Sequence, residues 1–332
     1  MLRVTLFGSQ NSASTSVSFE PKRDIPSLTG KVVLITGAAG DLGRQTAIEL
    51  ARYGRPTRIY VADLPRDEHL KTALIDRITS EAYGDNDDSA NTRTMIHFLD
   101  LDLASFQSVR ACAADFISQE DRLDILILNA GIIRVATGLT SEGYEIHFGL
   151  NYLGHALLSR LLMPAIELSA QLNSEARIVV VSSEGHAMAP KEGIKFEKLK
   201  TTCSEMSYGQ RYGQSKLALI GLMRGLSHRY PNVKSCAVHP GRILTGMAES
   251  LKRESILVRV TTPISPLFCV PVSIGIRNHL WAATSLDVVS GTYYEPVGVP
   301  AKGSTAAQDE NMPDELWEWT TNELKGRDIF VR

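Results

Sequence analysis

Lys31-Val-Val-Leu-Ile-Thr36 runs directly into Gly37-Ala-Ala-Gly40-Asp-Leu-Gly43, and a helix-like segment from Arg44 to Tyr53 follows. A short apolar run, a glycine cluster and a helical segment predict a strand, a tight turn and a helix. Three glycines at such a turn let backbone amides approach a pyrophosphate held at the helix N-terminus. By itself this pattern is weak evidence, because a tight connection that binds no ligand uses the same residues.

The alternation of strand and helix continues along the whole chain. Further strands are predicted at 58–62, 95–99, 123–128, 177–181 and 233–238, and helices at 104–118, 144–170 and 208–229. Strands that are apolar on both faces predict a parallel sheet covered by helices on each side, with right-handed crossovers. The fold class is therefore α/β, a single doubly wound parallel sheet of the Rossmann type.

The C-terminal part keeps this character and shows no linker. An apolar segment at 256–276 contains three prolines, so it cannot form one straight helix. A helix at 277–285, a short strand at 292–294 and a helix at 313–325 close the chain. We therefore expect one domain over residues 25–332, preceded by a flexible or loosely packed lead-in over residues 1–24.

Composition excludes several classes of function. The chain has 332 residues, 43% of them hydrophobic, and a net charge of -2, which is too weak a field to hold a nucleic acid. Its four cysteines form no CxxC pair and have no histidine at ligand spacing, so no metal site is expected. No run of 18 apolar residues is present to span a membrane, and we expect a cytoplasmic protein.

Three further stretches carry chemistry. Asp63 follows Gly43 by twenty residues at a predicted strand end, where an acid hydrogen-bonds the adenosine ribose and repels a 2′-phosphate. This favours NAD, although the nearby Arg66 could still reach the phosphate of NADP. Tyr212 and Lys216 lie four apart on a helix, where a cation favours the phenolate. Ser183 ends a buried strand, a place where α/β sheets present side chains to ligands.

Six weak signals occur together in one order along the chain. They are the Gly37, Gly40 and Gly43 turn, Leu128-Asn129-Ala130-Gly131, Asn151, Ser183, Tyr212 with Lys216, and Pro240-Gly241 with Thr245. Together they resemble the short-chain dehydrogenase/reductase family over nearly the whole chain. The stretch Phe148-Gly-Leu-Asn151-Tyr-Leu-Gly154-His155, with Val238-His-Pro-Gly241, looks most like its retinol-dehydrogenase and WW-domain-oxidoreductase branch, without a WW domain.

The resemblance implies an NAD(P)-dependent oxidoreductase that interconverts an alcohol and its ketone or aldehyde. Tyr212 would be the general acid/base and Ser183 would orient the substrate oxygen. Lys216 would hold the nicotinamide ribose and favour the phenolate of Tyr212. Asn151 would position a water that passes protons towards Lys216.

The resemblance also implies a set of cofactor contacts. These would be Gly37, Gly40, Asp41, Leu42, Gly43, Asp63, Asp102, Asn129, Gly131, Tyr212, Lys216 and Thr245. Asp41 departs from the pattern, because many members have glycine there. A carboxylate beside a pyrophosphate is repulsive unless it points outwards, so this residue puts cofactor affinity in question.

The substrate and the assembly follow from less specific features. The family places its substrate lid after Thr245, here around 246–276, and the apolar character of this segment predicts a lipophilic alcohol or ketone, as in secondary metabolism. In the family, the two helices that would carry Asn151 and Tyr212 often form a homodimer interface, which their lengths allow here without requiring it.

Two alternative functions stay open from the sequence. His186 and His239 lie close in sequence to Ser183 and Pro240, so a Ser-His hydrolase is conceivable, although no Gly-x-Ser-x-Gly elbow is present. A catalytically silent dinucleotide-binding scaffold or redox sensor is the second alternative. Competent side chains at all four catalytic positions argue against it.

Overall fold

The structure, a computed structural model, describes residues 17–84, 93–133, 135–172, 175–243 and 270–327. Its strands are β1 Val32–Thr36, β2 Arg58–Asp63, β3 Met95–Asp100, β4 Ile125–Leu128, β5 Arg177–Val181, β6 Lys234–Val238, β7 Tyr293–Tyr294 and β8 Pro300–Ala301.

These strands form one sheet in the part of the chain that the structure describes. The spatial order is β3-β2-β1-β4-β5-β6-β7-β8, and all neighbours pair in parallel except β7 with β8. The order reverses between β1 and β4, and open α/β sheets bind ligands beyond the carboxyl ends of the strands at such a point. The predicted doubly wound parallel sheet is confirmed.

Helices cover both faces of the sheet. They are α1 Pro21–Asp24, α2 Asp41–Glu49, α3 Glu68–Tyr83, α4 Phe106–Gln119, α5 His155–Gln171, α6 Tyr208–Arg229, α7 Val272–Thr284, α8 Thr305–Gln308 and α9 Met312–Glu323. The chain also forms two segments of π-helix. Leu50–Gly54 directly follows α2, and Phe148–Gly154 directly precedes α5. The second one carries Asn151.

The short helices α1 and α8 were not predicted, and the longer helices α3 and α7 also differ from the sequence-based expectation. The pattern did not predict α3, because only Leu74, Ile78 and Ala82 are buried along its sixteen residues and the rest is largely charged or polar. α7 begins at Val272 rather than 277, because Pro271 precedes its first residue and the fixed φ of proline suits a helix start.

Two hydrophobic cores lie on opposite faces of the sheet. Along β1, Val32 and Leu34 belong to one core and Val33 and Ile35 to the other, as the two-residue period of a strand requires. All five β1 residues are buried, which explains the uninterrupted apolar run in the sequence.

The described part of the expected lead-in packs on the domain. Phe19 is only 4% exposed and joins the second core. The amide of Val17 donates to the carbonyl of Val297 over 3.0 Å, and Glu20 forms a 2.8 Å ion pair with Arg277. Packed structure therefore begins before residue 25, by at least residue 17.

The C-terminal helix α9 covers one side of α6. A Cβ at Gly221 would lie 2.6 Å from both Leu316 and Met312, and one at Gly225 would lie 3.0 Å from Trp317. The glycines of α6 thus let α9 approach closely, and this part of the expected dimer helix is occupied within the chain. Among the described residues, no helix combines the length and the apolarity that crossing a membrane demands.

Candidate active site

A cleft of about 730 Å³ opens beyond the carboxyl ends of the central strands. Most residues that the sequence singles out line it: Gly37, Gly40, Asp41, Leu42, Gly43, Asp63, Asp102, Asn129, Gly131, Ser183, Tyr212 and Lys216. Asn151 is fully buried and does not belong to the lining. Thr245 and most of the expected lid, residues 246–269, lie outside the described residues.

The glycine turn at the base of the cleft has no room for side chains. A Cβ at Gly37, whose φ is +69°, would lie 2.7 Å from Ala130 Cα, and one at Gly43 would lie 2.5 Å from the Gly37 carbonyl oxygen. Real Cβ atoms do not approach backbone atoms so closely. The turn therefore requires glycine at both positions, and Gly40 forms the N-cap of α2.

Asn129 provides a test of whether a dinucleotide fits here. Its amide nitrogen Nδ2 donates to the Thr36 carbonyl over 2.9 Å, whereas its Oδ1 is buried with no hydrogen-bond partner among the described residues. A buried acceptor without a partner is costly, so a ligand donor such as a hydroxyl or amine is expected to satisfy it. The absence of side chains at Gly37 and Gly43 and the unpaired Oδ1 of Asn129 both fit a nucleotide.

Asp63 is tied to the glycine turn. Its Oδ2 accepts from the Ala39 amide over 2.8 Å, and its Oδ1 accepts from the Leu64 amide and from Arg66, both over 2.9 Å. The charge of Arg66 is thus already paired with the carboxylate. A 2′-phosphate at this position would meet an acid and a cation that is already paired.

The charge of Asp41 is also paired. Its Oδ1 accepts from Arg44 over 3.0 Å, and the same guanidinium donates to the Ala39 carbonyl over 2.9 Å. The repulsion expected between Asp41 and a pyrophosphate is therefore reduced by a cation on the next turn of the same helix.

Tyr212 lies at the inner wall of the cleft, near the strand end that carries Ser183. Burial raises the pKa of Tyr212, and the neighbouring Ser183 hydroxyl opposes that rise only in part. Ser183 Oγ also accepts from the Gly185 amide over 3.1 Å, which fixes its position at the end of β5. At neutral pH the phenol is therefore protonated and can donate a proton.

Lys216 lies buried beside Tyr212, and its expected effect on the phenolate stays a prediction. Its Nζ donates to the Val181 carbonyl over 3.0 Å and lies 5.8 Å from the centre of the Tyr212 ring. Burial lowers the pKa of Lys216 itself to about 8. Burial is thus the largest cause of both shifts, raising the pKa of Tyr212 and lowering that of Lys216.

The side chain of Asn151 hydrogen-bonds to protein groups in this structure. Its Oδ1 accepts from the Ile132 amide over 2.8 Å, and its Nδ2 donates to the Ile132 carbonyl and to Ser215 Oγ over 3.1 and 3.0 Å. A Cβ at Gly131 would lie 3.2 Å from Asn151 Oδ1 and 3.3 Å from Lys216 Nζ, so these groups converge on one point. The expected water-positioning role of Asn151 stays a prediction.

The histidines do not form a hydrolase site with Ser183. His186 Nδ1 lies 2.6 Å from the Ser183 carbonyl oxygen, not its hydroxyl, and His186 Nε2 accepts from the Ser304 amide over 2.9 Å. His239 Nδ1 lies 3.4 Å from the Glu184 amide nitrogen. No imidazole is thus seen to bond the Ser183 hydroxyl among the described residues, which removes the basis of the hydrolase alternative.

An ion pair that the sequence did not indicate belongs to the lining of the cleft. Arg242, directly after Pro240-Gly241, binds Glu184. Glu184, His239 and Glu295 bring ligand atoms within 4.8 Å of one another, as a metal site would. Arg242 already occupies Glu184, and Tyr293 donates to Glu295 over 2.7 Å, so these carboxylates have protein partners.

Comparisons with known proteins agree with the geometry. The family profile of the short chain dehydrogenases matches residues 31–196. An uncharacterised oxidoreductase of Schizosaccharomyces pombe is 34% identical over 306 residues, which cover 90% of this chain and 86% of the relative. Retinol dehydrogenase 14 of Mus musculus is 35% identical over 299 residues, covering 87% and 84%.

A solved structure shows the same fold. The crystal structure of an uncharacterised protein from Mycobacterium paratuberculosis superposes with a TM-score of 0.66 at 28% identity, covering 92% of this chain and 97% of the other. From the glycine turn, the cleft at the switch point and these relatives, the chain belongs to the short-chain dehydrogenase/reductase family of NAD(P)-dependent oxidoreductases acting on CH–OH groups, in its retinol-dehydrogenase-like branch.

Proposed function

We propose that this chain reduces the carbonyl group of a lipophilic ketone or aldehyde, and oxidises the corresponding alcohol, with Tyr212 as the general acid/base. The observation that carries the proposal is the buried, protonated Tyr212 beside Ser183 in the cleft. NADH or NADPH supplies the hydride when bound. The protein itself orients the reactants and moves a proton.

The roles of the side chains follow from their positions. Ser183 and Tyr212 line the same cleft as neighbours, so a carbonyl oxygen that lies between their hydroxyls would accept two hydrogen bonds as negative charge develops on it. Tyr212 then gives its proton to that oxygen. The ammonium of Lys216, buried near the same ring, stabilises the phenolate that is left. In the oxidative direction the proton returns to Tyr212.

A lipophilic substrate is supported by the apolar walls of the cleft that contains Ser183 and Tyr212. The described apolar residues of its lining include Ile132, Ile133, Leu150 and Ile243. A retinol dehydrogenase is among the relatives of this chain. We therefore propose that the substrate is a retinoid-like, steroid or polyketide-like carbonyl compound.

The first experiment is a panel assay of NADH consumption. We expect turnover with long or polycyclic aldehydes and ketones, and little with acetone or glyceraldehyde. Turnover of only the small polar compounds would overturn the lipophilic substrate class. The absence of turnover with every compound, while NADH still binds, would overturn the proposed reaction.

We further propose that NADH is preferred over NADPH. The support is Asp63, whose carboxylate would repel a 2′-phosphate and whose partner Arg66 is already paired. In the Asp63→Ser variant, we expect the ratio of the two dissociation constants to shift by about tenfold towards NADPH. The exposed neighbour Asp67, changed to Ser, is the control. If the ratio of the NADH and NADPH dissociation constants is unchanged in Asp63→Ser, this carboxylate does not determine the cofactor preference.

A further inference from the structure

His155, the first residue of α5, links the glycine turn to the π-helical segment that carries Asn151. The side chain is fully buried. Its Nε2 lies 2.9 Å from the hydroxyl of Thr36, the last residue of β1. Its Nδ1 lies 2.8 Å from the main-chain carbonyl oxygen of Asn151. One imidazole thus bridges the strand that enters the glycine turn and the Asn151 segment.

The partners of His155 fix its protons. The Thr36 hydroxyl accepts from the amides of Asn129 and Ala130 over 2.9 and 3.0 Å, which fills both of its lone pairs. Its own hydrogen has two acceptors in reach, His155 Nε2 at 2.9 Å and the Ile127 carbonyl oxygen at 3.5 Å, and the shorter distance assigns it to Nε2. The Asn151 carbonyl can only accept, so Nδ1 must carry the other proton. The bridge requires a neutral imidazole protonated at Nδ1, in agreement with a pKa of His155 that burial lowers to about 3.

The backbone at this point explains why a side chain is used. In a regular α-helix the amide of residue 155 would donate to the carbonyl of residue 151. Here the amide of His155 donates to the Tyr152 carbonyl instead. The imidazole of the same residue brings a donor to the Asn151 carbonyl that the amide does not supply.

The hydrogen-bonded chain continues from Asn151 into α6. Asn151 Nδ2 donates to Ser215 Oγ over 3.0 Å, and Ser215 Oγ donates to the Tyr212 carbonyl over 2.7 Å. The connected groups therefore run from Thr36 through His155, Asn151 and Ser215 to Tyr212. This chain joins the end of β1 to the helix that carries Tyr212 and Lys216.

We propose that His155 is a positioning residue: its bridge between Thr36 and the Asn151 carbonyl holds the Tyr212 helix at a fixed place relative to the glycine turn. The inference rests on the proposed function, because the relative position matters only if a cofactor on the turn and Tyr212 act on one substrate. Loss of the bridge should therefore reduce the rate of reaction more than the binding of NADH or substrate.

Three variants test the bridge. His155→Phe keeps most of the volume and removes both hydrogen bonds. His155→Asn places a donor near the former Nδ1, so it can restore the bond to Asn151 alone. His279→Phe makes the same exchange at an equally buried position on α7, outside the hydrogen-bonded chain, and serves as the matched control.

We expect kcat of His155→Phe to fall about 10- to 100-fold, with KM and the NADH dissociation constant within about threefold of the parent. The primary isotope effect from NADH deuterated at C4 should increase, because hydride transfer becomes slower. His155→Asn should regain most of kcat. The positioning role of His155 would be overturned if folded His155→Phe had the same kcat as His279→Phe. It would also be overturned if the kcat of His155→Asn were no higher than that of His155→Phe.

Hydrogen exchange measures the bridge without turnover. The Ile132 amide donates to Asn151 Oδ1 and reports whether the Asn151 segment is held. We expect its exchange in His155→Phe to be about tenfold faster than in His279→Phe. Equal exchange rates would reject the bridge itself. If the parent chain binds NADH but reduces nothing, the proposed function fails, and this comparison still decides whether His155 holds the segment.

Discussion

The two ends of the cleft are built differently. At the dinucleotide end, Gly37 and Gly43 are required because the backbone leaves no space, and Asp63 bonds to the backbone of the same turn. Another part of the lining, which we propose faces the substrate and call the substrate end, contains Glu184 and Arg242, whose long side chains form an ion pair. Backbone sterics restrict residue type strictly, whereas a side-chain pair can be replaced by others. The first end should therefore tolerate substitution far less than the second.

The largest effect is expected at Tyr212. Tyr212→Phe removes the proton donor and should reduce kcat/KM by about 100- to 10,000-fold while NADH still binds. Tyr208→Phe, on the exposed first residue of the same helix, is the matched control. Steady-state kinetics with the best substrate of the panel measures both. Comparable losses in the two variants would contradict a catalytic role for Tyr212.

The dinucleotide end is tested by adding one methyl group. Gly43→Ala places a Cβ against the Gly37 carbonyl, and we expect a cost of about 1–3 kcal/mol, or about 5- to 150-fold in the NADH dissociation constant. Gly138→Ala is the control, because its Cβ would meet nothing closer than 4.0 Å. Titration by NADH fluorescence measures both, and tight binding by Gly43→Ala would show that the turn does not hold the cofactor.

The pKa of Lys216 predicts how NADH affinity depends on pH. Because burial lowers its pKa to about 8, the ammonium is lost as the pH rises through that value rather than near 10.5. NADH affinity should be constant below this pH and fall about threefold to tenfold above it, since charged hydrogen bonds are the stronger ones. Lys216→Met should show weak binding without this change. An affinity in the parent that stays level to about pH 9.5 would contradict the assignment.

The smallest effect is expected at the substrate end. Glu184→Gln removes the charge that Arg242 binds but keeps a hydrogen-bonding group of the same size. We expect KM for lipophilic substrates to change about threefold and the NADH dissociation constant to stay the same. A loss of NADH binding in this variant would show that the two ends are not independent.

The same contrast explains what could be predicted from the sequence. Strands and the glycine turn leave local patterns, so the parallel sheet could be predicted, and most residues singled out around the glycine turn do line the cleft. The Thr36–His155 bond joins residues 119 apart, and the Arg242–Glu184 pair joins residues 58 apart. No local spacing reveals such partners. The raised pKa of Tyr212 depends on burial by the whole fold, and α3 has too narrow an apolar stripe to be recognised.

The central claim is that this cleft transfers a hydride to a carbonyl carbon while Tyr212 supplies the proton. A single-turnover reaction with NADH that carries deuterium at both C4 positions and the best carbonyl substrate of the panel, analysed by mass spectrometry, tests it most directly. The account predicts one deuterium on the carbon that bears the new hydroxyl, and almost none with Tyr212→Phe in the same time. Bound NADH with no deuterium in the product, or equal transfer by Tyr212→Phe, would contradict it.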